Sequence, residues 1–412
     1  MSQLKIQKIN NCRICNAENL RSIFALDQMP FTDEFVKKDK IGSEYLAKIE
    51  IGICTHCGSV QNLNDTDMSD YYNDYTYTVQ SSLFAMNFMS TLANRIKQAF
   101  FLTEKNPSVI EIGSGSGEQL AEFKKNGFDV LGIEPSRKLS DYANSIGVKT
   151  LTTFFDENTK EAVDPQFAFV DVVISSYTFD HIPRPVEVLS NIHHILKDGG
   201  LIVLEVHDLD LIIERNEFCL FEHEHYTYLN ERTIRSLLAQ NGFEVETFEL
   251  LKTNEKRGNS LLVVARKAAF GSVGLIIDVR REVERVENLS KNICNAIGNF
   301  DQWLEVHRDN RIAAYGAGGR GIMTIAALKN AGIIRFILDK NPKASGIFAP
   351  KSHLPVYGIE ALAKERPDII VVFSFGYFDE IVEELTTKYR FNSSQFISIL
   401  DIMEEGASYA MA

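Results

Sequence analysis

The chain has 412 residues, more than one hydrophobic core usually serves, so it should divide into two or three domains. A formal net charge of −13 argues against a nucleic-acid partner, and 45% hydrophobic with 24% charged residues is an ordinary globular composition. No stretch approaches the roughly 20 apolar residues that cross a bilayer. With a polar start and few cysteines, we expect a cytoplasmic protein without membrane contact, as a monomer or small homo-oligomer.

Four of the six cysteines form two C-x-x-C pairs, separated by a spacer long enough to fold as a small subdomain. The pairs are Cys12 with Cys15 and Cys54 with Cys57. Each such turn places two thiolates on one side, and two turns together suit tetrahedral zinc. A redox pair or unconnected thiols are the alternatives, but neither pair lies in a thioredoxin-like strand–helix context. The sequence therefore predicts a structural zinc site.

Tyrosines are dense between the second cysteine pair and the next predicted helix. Four of them fall within residues 71–77, and a helix is predicted over residues 83–103. Beside a ligand-binding domain such a segment suits a lid or a substrate wall. A tyrosine-rich packing patch is an equal alternative.

The next stretch is an apolar run that ends in an acid and three alternate glycines. Its pattern is E-x-G-x-G-x-G, formed by Glu111, Gly113, Gly115 and Gly117. Glycines at a strand-to-helix turn let the backbone approach a ligand that a Cβ would exclude. A second short strand then ends at Glu134, where a carboxylate can accept hydrogen bonds from both hydroxyls of a ribose. The loop contains no Lys or Arg, so a triphosphate is a poor fit.

This pattern resembles the S-adenosylmethionine (SAM) site of class I methyltransferases, and a glycine-rich turn without a ligand is the alternative. Residues 102–266 alternate apolar strands with helical stretches, as a doubly wound sheet does. The strand over residues 170–176 ends at Ser176, a further cofactor-binding candidate, and His181 follows it. Glu205 ends another strand. Since the carboxyl ends of central strands face the ligand crevice, His181 and, less strongly, Glu205 are candidates for chemistry.

The segment 221–228 concentrates acids, histidines and tyrosines. In an extended chain Glu222 and Glu224 would share one face, and His223 and His225 the other. A carboxylate can orient a histidine and raise its basicity, which suits general-base chemistry. Metal ligands and a solvated loop are weaker alternatives, and the spacing lacks the H-E-x-x-H arrangement of zinc enzymes.

In the last part of the chain, the sequence predicts a long connecting helix over residues 276–307, followed by a second glycine loop. Gly316, Gly318 and Gly321 match G-x-G-x-x-G, and Asp339 follows at about the distance of an NAD-binding acid. Nothing nearby supplies hydride chemistry. A Rossmann-like unit that lends a wall or an anion-binding turn to the active site is therefore favoured over NAD binding.

These features, in this order, resemble the SAM-dependent nucleotide-sugar C-methyltransferases of deoxysugar biosynthesis. The resemblance covers nearly the whole chain and rests on the cysteine pairs and the SAM loop together with Y-x-Y, H-I-P, E-H and Y-G-A-G. It implies an α/β fold: a class I methyltransferase core with an N-terminal zinc-binding subdomain and a second, Rossmann-like C-terminal domain. The implied bounds are 1–75, 76–270, a connecting helix over 271–308, and 309–412.

The resemblance also implies roles for single residues. Members of the family methylate the sugar carbon next to a ketone, on a dTDP-linked hexose. The family's active-site tyrosine falls on Tyr77, its histidine before Ile-Pro on His181, and its E-H pair on Glu224 and His225. His225, oriented by Glu224, would remove the α proton. Tyr77 or His181 would then stabilise the developing oxyanion while the carbanion attacks the methyl group of SAM.

Two positions depart from the family's pattern, and both concern the sugar pocket. The sugar 3-C-methyltransferases carry a tyrosine where this chain has Glu222, and their G-G-S run is Gly258, Asn259 and Ser260 here. Glu222 is therefore a candidate base itself. Methyl transfer is the firmer prediction. The alternatives are an O-methyltransferase on a sugar or another small acceptor, and a non-catalytic protein that binds SAM or a nucleotide sugar.

Overall fold

A computed structural model describes residues 6–32, 34–73, 75, 78, 82–270, 277–340 and 346–404, with the backbone alone at Lys160 and Glu404. The predicted active-site residue Tyr77 lies outside these ranges. None of the helices within them is long and apolar enough to cross a membrane.

The N-terminal unit is built on antiparallel strands. Its elements are β1 (Ile6–Lys8), β2 (Leu20–Pro30), β3 (Val36–Lys37), β4 (Leu46–Cys54), β5 (Val60–Asn62), β6 (Asn64–Thr66) and the short helix α1 (Ser69–Asn73). Strands β2, β4 and β5 pair in that order, and β1 pairs with β6 separately. Alternate residues of β4, namely Ile49, Ile51 and Ile53, are fully buried, as expected of a strand with one face in a core.

The middle unit is a doubly wound sheet, as the sequence predicts. Its elements are α2 (Leu83–Phe100), β7 (Ser108–Ile112), α3 (Glu118–Lys125), β8 (Asp129–Ile133), α4 (Arg137–Ser145), β9 (Thr150–Leu151), α5 (Thr159–Ala162), β10 (Val170–Ser176), α6 (Pro185–Ile195), β11 (Leu196–Val206), α7 (Leu209–Glu214), β12 (Thr227–Tyr228), α8 (Glu231–Gln240), β13 (Phe243–Thr247) and β14 (Leu261–Lys267). The strand order is β13-β14-β11-β10-β7-β8-β9, with β14 antiparallel to both neighbours.

The central strands of this sheet are apolar because helices cover both faces. In β10, Val172 and Ile174 pack in a core with Leu92 of α2, whereas Val173 packs in a second core with Leu189 of α6. The strand order reverses between β7 and β10. Open α/β sheets bind ligands beside such a reversal, at the carboxyl ends of the strands.

The C-terminal unit is also a mostly parallel sheet. Its elements are α9 (Val279–Val306), β15 (Ile312–Tyr315), α10 (Gly319–Ala327), β16 (Ile334–Asp339), β17 (Ile347–Phe348), β18 (Pro355–Gly358), β19 (Ile369–Val372), α11 (Phe378–Tyr389), β20 (Phe396–Ser398) and α12 (Ile399–Glu404). Parallel pairing joins β20, β19, β15, β16 and β18 in that order. This is the predicted Rossmann-like arrangement.

Two short strands join one unit to another. β3, from the N-terminal part of the chain, pairs with β17 and so extends the C-terminal sheet. β12, from the middle of the chain, pairs with β5 and extends the N-terminal sheet. One buried core also contains residues of β2 and β4 together with residues of α9 and α10. These shared sheets and this shared core bring the three units together around one cleft. The domain bounds given above remain predictions.

Candidate active site

The four cysteines of the two C-x-x-C pairs converge. Their Sγ atoms all lie within 4.8 Å of one another, with 3.7 Å between Cys12 and Cys57 and between Cys15 and Cys54. Zn–S bonds of about 2.3 Å place the sulfurs of a tetrahedral site about 3.8 Å apart. The set therefore fits zinc as it stands. Gln61 Nε2 donates to Cys12 Sγ at 3.2 Å, an outer contact that orients a thiolate ligand.

The loop between β7 and α3, which holds Gly113, Gly115 and Gly117 and is called the SAM loop after its predicted ligand, requires glycine at more than one position. Gly113 and Gly115 have φ angles of 71° and 53°, in the left-handed region. A Cβ at Gly113 would lie 2.3 Å from Thr178 Oγ1, whereas a Cβ at Gly115 would meet none of the described atoms within 4 Å. Packing thus fixes the first glycine, and the second opens toward the cleft.

Glu134, just after β8, stabilises this loop through hydrogen bonds. Its Oε2 accepts a hydrogen bond from Gly115 N at 2.9 Å, and its Oε1 accepts one from Ser136 N at 2.8 Å. Burial raises the pKa of the Glu134 carboxyl group. An ionised carboxylate has about four lone-pair sites. Two therefore remain for the hydroxyls of a ribose in the cleft that Glu134 lines.

We expect Glu134→Ala to weaken SAM binding by about 1.5–3 kcal/mol, the range for a hydrogen bond to a charged group. This corresponds to about a 10- to 150-fold rise in Kd, measured by calorimetry. Asp129→Ala, at the exposed start of the same strand, is the matched control. An unchanged affinity in the Glu134 variant would show that the ribose lies elsewhere.

Glu111, inside β7, is buried with one oxygen unpaired. Its Oε1 accepts from Gln119 Nε2 at 2.6 Å, whereas its Oε2 has no hydrogen-bond partner among the described residues. The same Gln119 nitrogen lies 3.2 Å from Ser176 Oγ, so the predicted cofactor residue Ser176 belongs to this network. Burial raises the pKa of Glu111 to about 8. The charge of Arg257 opposes this rise in pKa, but among the described residues no cation is hydrogen-bonded to Glu111, so a cationic ligand such as SAM suits this carboxyl group.

A pH dependence of SAM binding follows from this carboxyl group. Below a pKa of about 8 the free protein keeps Glu111 protonated, and a cation binds the ionised form better, so affinity should rise as the pH increases through that value. Binding at neutral pH should release a proton, measurable by calorimetry in buffers of different ionisation enthalpy. Glu111→Gln should abolish that release. Equal heats in all buffers for the unmodified protein would contradict the assignment.

Three histidines meet beside the SAM loop. The ring centroids of His181 and His225 are 4.6 Å apart, and those of His207 and His225 are 4.9 Å apart. His181 follows β10 and His207 follows β11, so both come from the carboxyl edge of the sheet. Burial lowers the pKa of His181 to about 3 and also lowers the pKa of His207. Both rings are therefore neutral near neutral pH.

His225 has a defined tautomer. Its Nδ1 lies 2.7 Å from the carbonyl oxygen of Leu220, and only a protonated ring nitrogen can donate to a carbonyl. The neutral ring therefore carries its lone pair on Nε2. The sequence analysis assigns to Glu224 the role of orienting the His225 ring. In the structure, the group bonded to Nδ1 is the backbone carbonyl of Leu220. Glu222 and Glu224 each place a carboxylate oxygen within 4.8 Å of a His225 ring nitrogen.

The chain around these residues forms a turn instead of the extended segment assumed from the sequence. His225 N donates to Glu222 O at 3.4 Å, which brings the two glutamates and His225 together. His223 is directed elsewhere and donates from Nε2 to Met29 O at 2.9 Å. Glu222, His223, Glu224 and His225 are all buried. A solvated charged loop is thus excluded.

Tyr72 provides a hydroxyl group beside His181. Its Oη lies 2.9 Å from His181 Nδ1. Burial raises the pKa of Tyr72 well above its ordinary value, so the hydroxyl group remains a proton donor. Sequence reasoning grouped Tyr72 with its neighbours and placed the active-site role on Tyr77. The role of Tyr77 stays a prediction.

Two residues of the site were missed from the sequence. His207 Nδ1 donates to Asp180 Oδ2 at 2.7 Å, although the two residues are 27 positions apart. Both follow central strands, so the carboxyl-end rule applied to every polar residue would have included them. Glu205, the candidate that the rule did give, accepts from Arg257 Nη2 and Ser260 Oγ, both at 2.8 Å. It therefore holds the 257–260 loop.

The C-terminal glycine loop lines the same cleft. As in the SAM loop, a backbone N–H of this loop donates to a carboxylate at the end of the next strand. Ala317 N donates to Asp339 Oδ2 at 2.9 Å, just as Gly115 N donates to Glu134. A Cβ at Gly321 would lie 2.0 Å from the backbone oxygen of Gly316, so the helix can approach only with glycine there.

Glu222 contacts the first turn of α10. A Cβ at Gly319 would lie 2.8 Å from Glu222 Oε1. A helix N-terminus attracts anions, and a dinucleotide would place its pyrophosphate there. Because the carboxylate of Glu222 already lies at this turn, the geometry favours a C-terminal loop that forms a wall of the active site over a loop that binds NAD.

The cleft among the three units has a volume of about 2540 Å³. Its lining includes the SAM loop, the three histidines, Tyr72 and the C-terminal loop. Pockets for single small ligands are typically about 300–1,000 Å³. This cleft therefore has room for SAM and a second, larger ligand together.

Comparison with known proteins follows the same division of the chain. Three family models match: a zinc binding domain over residues 12–72, a methyltransferase domain over 86–247 and a C-methyltransferase C-terminal domain over 282–400. C-methyltransferase NovU of Streptomyces niveus is 24% identical over 416 residues, which span 95% of this chain and 96% of NovU. An uncharacterized methyltransferase of Mycobacterium leprae, ML2584, is 29% identical over 96 residues, 23% of this chain and 35% of that protein.

Solved methyltransferase structures are similar to about half of the chain. The plantazolicin methyltransferase BpumL in complex with S-adenosylhomocysteine (SAH) has a TM-score of 0.37 and 16% identity, over 49% of this chain and 89% of that one. Magnesium protoporphyrin IX methyltransferase from Synechocystis PCC 6803 with bound SAH has a TM-score of 0.36 and 17% identity, over 49% and 98% of the two chains.

The chain is a SAM-dependent methyltransferase with a class I core. It also carries a zinc binding domain and a C-methyltransferase C-terminal domain, and it is similar to C-methyltransferase NovU along nearly its whole length. The predicted likeness to C-methyltransferases, the methyltransferase activity, the fold class and the cofactors, SAM and structural zinc, are thereby confirmed.

Proposed function

We propose that this methyltransferase acts on a nucleotide-linked keto-deoxysugar, with dTDP as the nucleotide, and that His225 removes a proton from the carbon next to the ketone. The observation that carries the proposal is the tautomer of His225. In the neutral ring, the bond from Nδ1 to Leu220 places the lone pair on Nε2, in a residue that lines the cleft beside the SAM loop. A base in that state is ready to accept a proton.

The transfer proceeds through an enolate. The α C–H bond breaks, its proton goes to His225 Nε2, and its electron pair moves toward the ketone oxygen. With Tyr72 donating to Nδ1, His181 carries its proton on Nε2 and can donate a hydrogen bond to that oxygen. SAM supplies an electrophilic methyl group: the carbanion forms the new C–C bond, and the pair of the S–CH3 bond goes to sulfur. Alignment of the two reactants supplies much of the acceleration.

The C-terminal loop supports a nucleotide-linked acceptor. Asp339 ends β16 and contacts its glycine loop in the way that Glu134 contacts the SAM loop. A carboxylate at this position can accept a hydrogen bond from the one free hydroxyl group, at C3′, of the deoxyribose of dTDP. The volume of the cleft also exceeds what SAM and a free sugar would fill.

Glu222 favours a second candidate, O-methylation of a sugar or other small hydroxylated acceptor. Its carboxylate lies within 4.8 Å of the Glu224 and His225 ligand atoms. A carboxylate and a histidine together suit deprotonation of a hydroxyl group. A protein that only binds SAM or a nucleotide sugar has no need of a base held in one tautomer, so this arrangement disfavours it.

Product analysis tests the proposal. The protein is incubated with SAM labelled with ¹³C in the methyl group and a dTDP-linked keto-deoxyhexose, and the product is examined by NMR. We expect the label to be bonded to the carbon next to the ketone. A label bonded to oxygen would establish the second candidate. Binding of both ligands without any product would indicate a binding protein.

A further inference from the structure

The Asp180–His207 pair lies beside the proposed base, and the mechanism above gives it no role. Asp180 is 3% exposed, and its Oδ2 accepts from His207 Nδ1. Its Oδ1 lies 3.9 Å from His181 Nε2 and has no hydrogen-bond partner among the described residues. The buried carboxylate is therefore held next to rings that can become positively charged. His207 is left with its lone pair on Nε2.

We propose that His207, held by Asp180, carries the proton of His225 to solvent between turnovers. The proposal rests on His225 being the base. A His225 that keeps the substrate's proton cannot start a second reaction, and as a residue only 4% exposed it has little direct contact with water. The adjacent His207 ring, 4.9 Å away between centroids, provides an exit.

The position and charge of His207 suit this role better than those of its neighbours. Its side chain keeps 17% of its surface exposed in the cleft, about as much as the 15% of His181, whereas His225 is 4% exposed. His207 differs from His181 in the hydrogen bond from its Nδ1 to Asp180. A carboxylate hydrogen-bonded to Nδ1 stabilises the imidazolium that forms when Nε2 takes a proton. The ionisable groups that face the pair are His181, His225, Tyr72, Tyr177, Tyr228 and Arg320.

The proton balance of the relay is simple. The N–H bond at His225 Nε2 breaks as one forms at His207 Nε2, and His207 then gives the proton to water. His225 returns to its neutral form, with Nδ1 still protonated and still donating to the Leu220 carbonyl oxygen. No oxidant, reductant or further ligand is required. Each methyl transfer thus ends with one proton released.

The relay predicts a difference between the first turnover and later ones. The first methyl transfer needs only an unprotonated His225. Later turnovers, and exchange of the acceptor's α proton with deuterium from solvent, need that proton to leave. In His207→Ala we expect a single-turnover rate within about threefold of the unmodified protein and a loss of at least about tenfold in steady-state rate and in exchange.

The experiment uses the full-length protein, a dTDP-linked keto-deoxyhexose and SAM for turnover, or SAH for exchange. Added imidazole should restore exchange in His207→Ala, because a diffusing base can replace a relay but not a structural contact. Asp180→Asn should show the same pattern more weakly. Asp171→Asn, at the other end of β10 and paired with Lys197, is the matched control and should change neither rate. SAM affinity shows that each variant is folded.

The outcomes separate this inference from the proposed function. An unchanged exchange and steady-state rate in His207→Ala would overturn the relay, and so would a first turnover slowed as much as the later ones. The relay would also fail if imidazole restored nothing. A normal first turnover in His225→Ala would instead remove the proposed base.

Discussion

His225→Ala should retain SAM binding and lose about 10²- to 10⁴-fold in turnover, the contribution of a positioned acid–base group. The ring has no contact with the SAM loop in the hydrogen bonds of the described residues, and its lone pair on Nε2 is the feature that alanine removes. The same variant should stop solvent deuterium from entering the acceptor's α position. Calorimetry with SAM, steady-state kinetics and NMR of the acceptor measure the three effects.

His194→Ala is the matched control for this prediction. His194 lies on α6, its Nδ1 contacts Ser190 O at 2.6 Å, and it is not part of the cleft lining. It should behave like the unmodified protein. Exchange at the normal rate in His225→Ala would show that another group is the base, and Glu222 and His181 would be the next to replace.

Cys54→Ser should release the zinc and unfold the N-terminal unit. Structural zinc in small domains contributes about 10–16 kcal/mol of apparent binding free energy, as much as the whole stability of a typical domain. A hydroxyl group cannot replace one of four thiolates that already have zinc-like spacing. Elemental analysis should show one zinc per unmodified chain and less in the variant, with a lower midpoint of thermal unfolding.

Cys294→Ser is the control, since Cys294 is exposed on α9. It should keep full zinc and stability. Full zinc in Cys54→Ser would contradict the four-cysteine site.

The sequence predicted those parts of the site that depend on short-range patterns. Two C-x-x-C turns and one glycine loop each fix their own backbone, so Cys12 or Gly113 could be assigned before any fold was known. The strand-end rule also placed His181 at the crevice. Element bounds were less accurate: the helix predicted over residues 83–103 ends at Phe100, and the helix predicted over 276–307 is Val279–Val306.

The rest of the site depends on contacts between distant segments, which spacing does not reveal. The hydrogen bond between Asp180 and His207 forms because β10 and β11 are neighbours in the sheet. The turn at Glu222 forms among buried residues where the sequence alone suggested an extended strand. The contact of Glu222 with Gly319 joins two units and required the packing of both.

The pairing of β3 with β17, and of β12 with β5, has a consequence for the construction of chimeras. Transfer of the last hundred residues from a homologue would bring β17 and β18 without the β3 strand that pairs with β17, and removal of the N-terminal unit would leave β12 without β5. Unpaired strand edges promote aggregation. To exchange substrate specificity between such proteins, the C-terminal unit is therefore better transferred together with β3 (Val36–Lys37) than by recombination at a single linker.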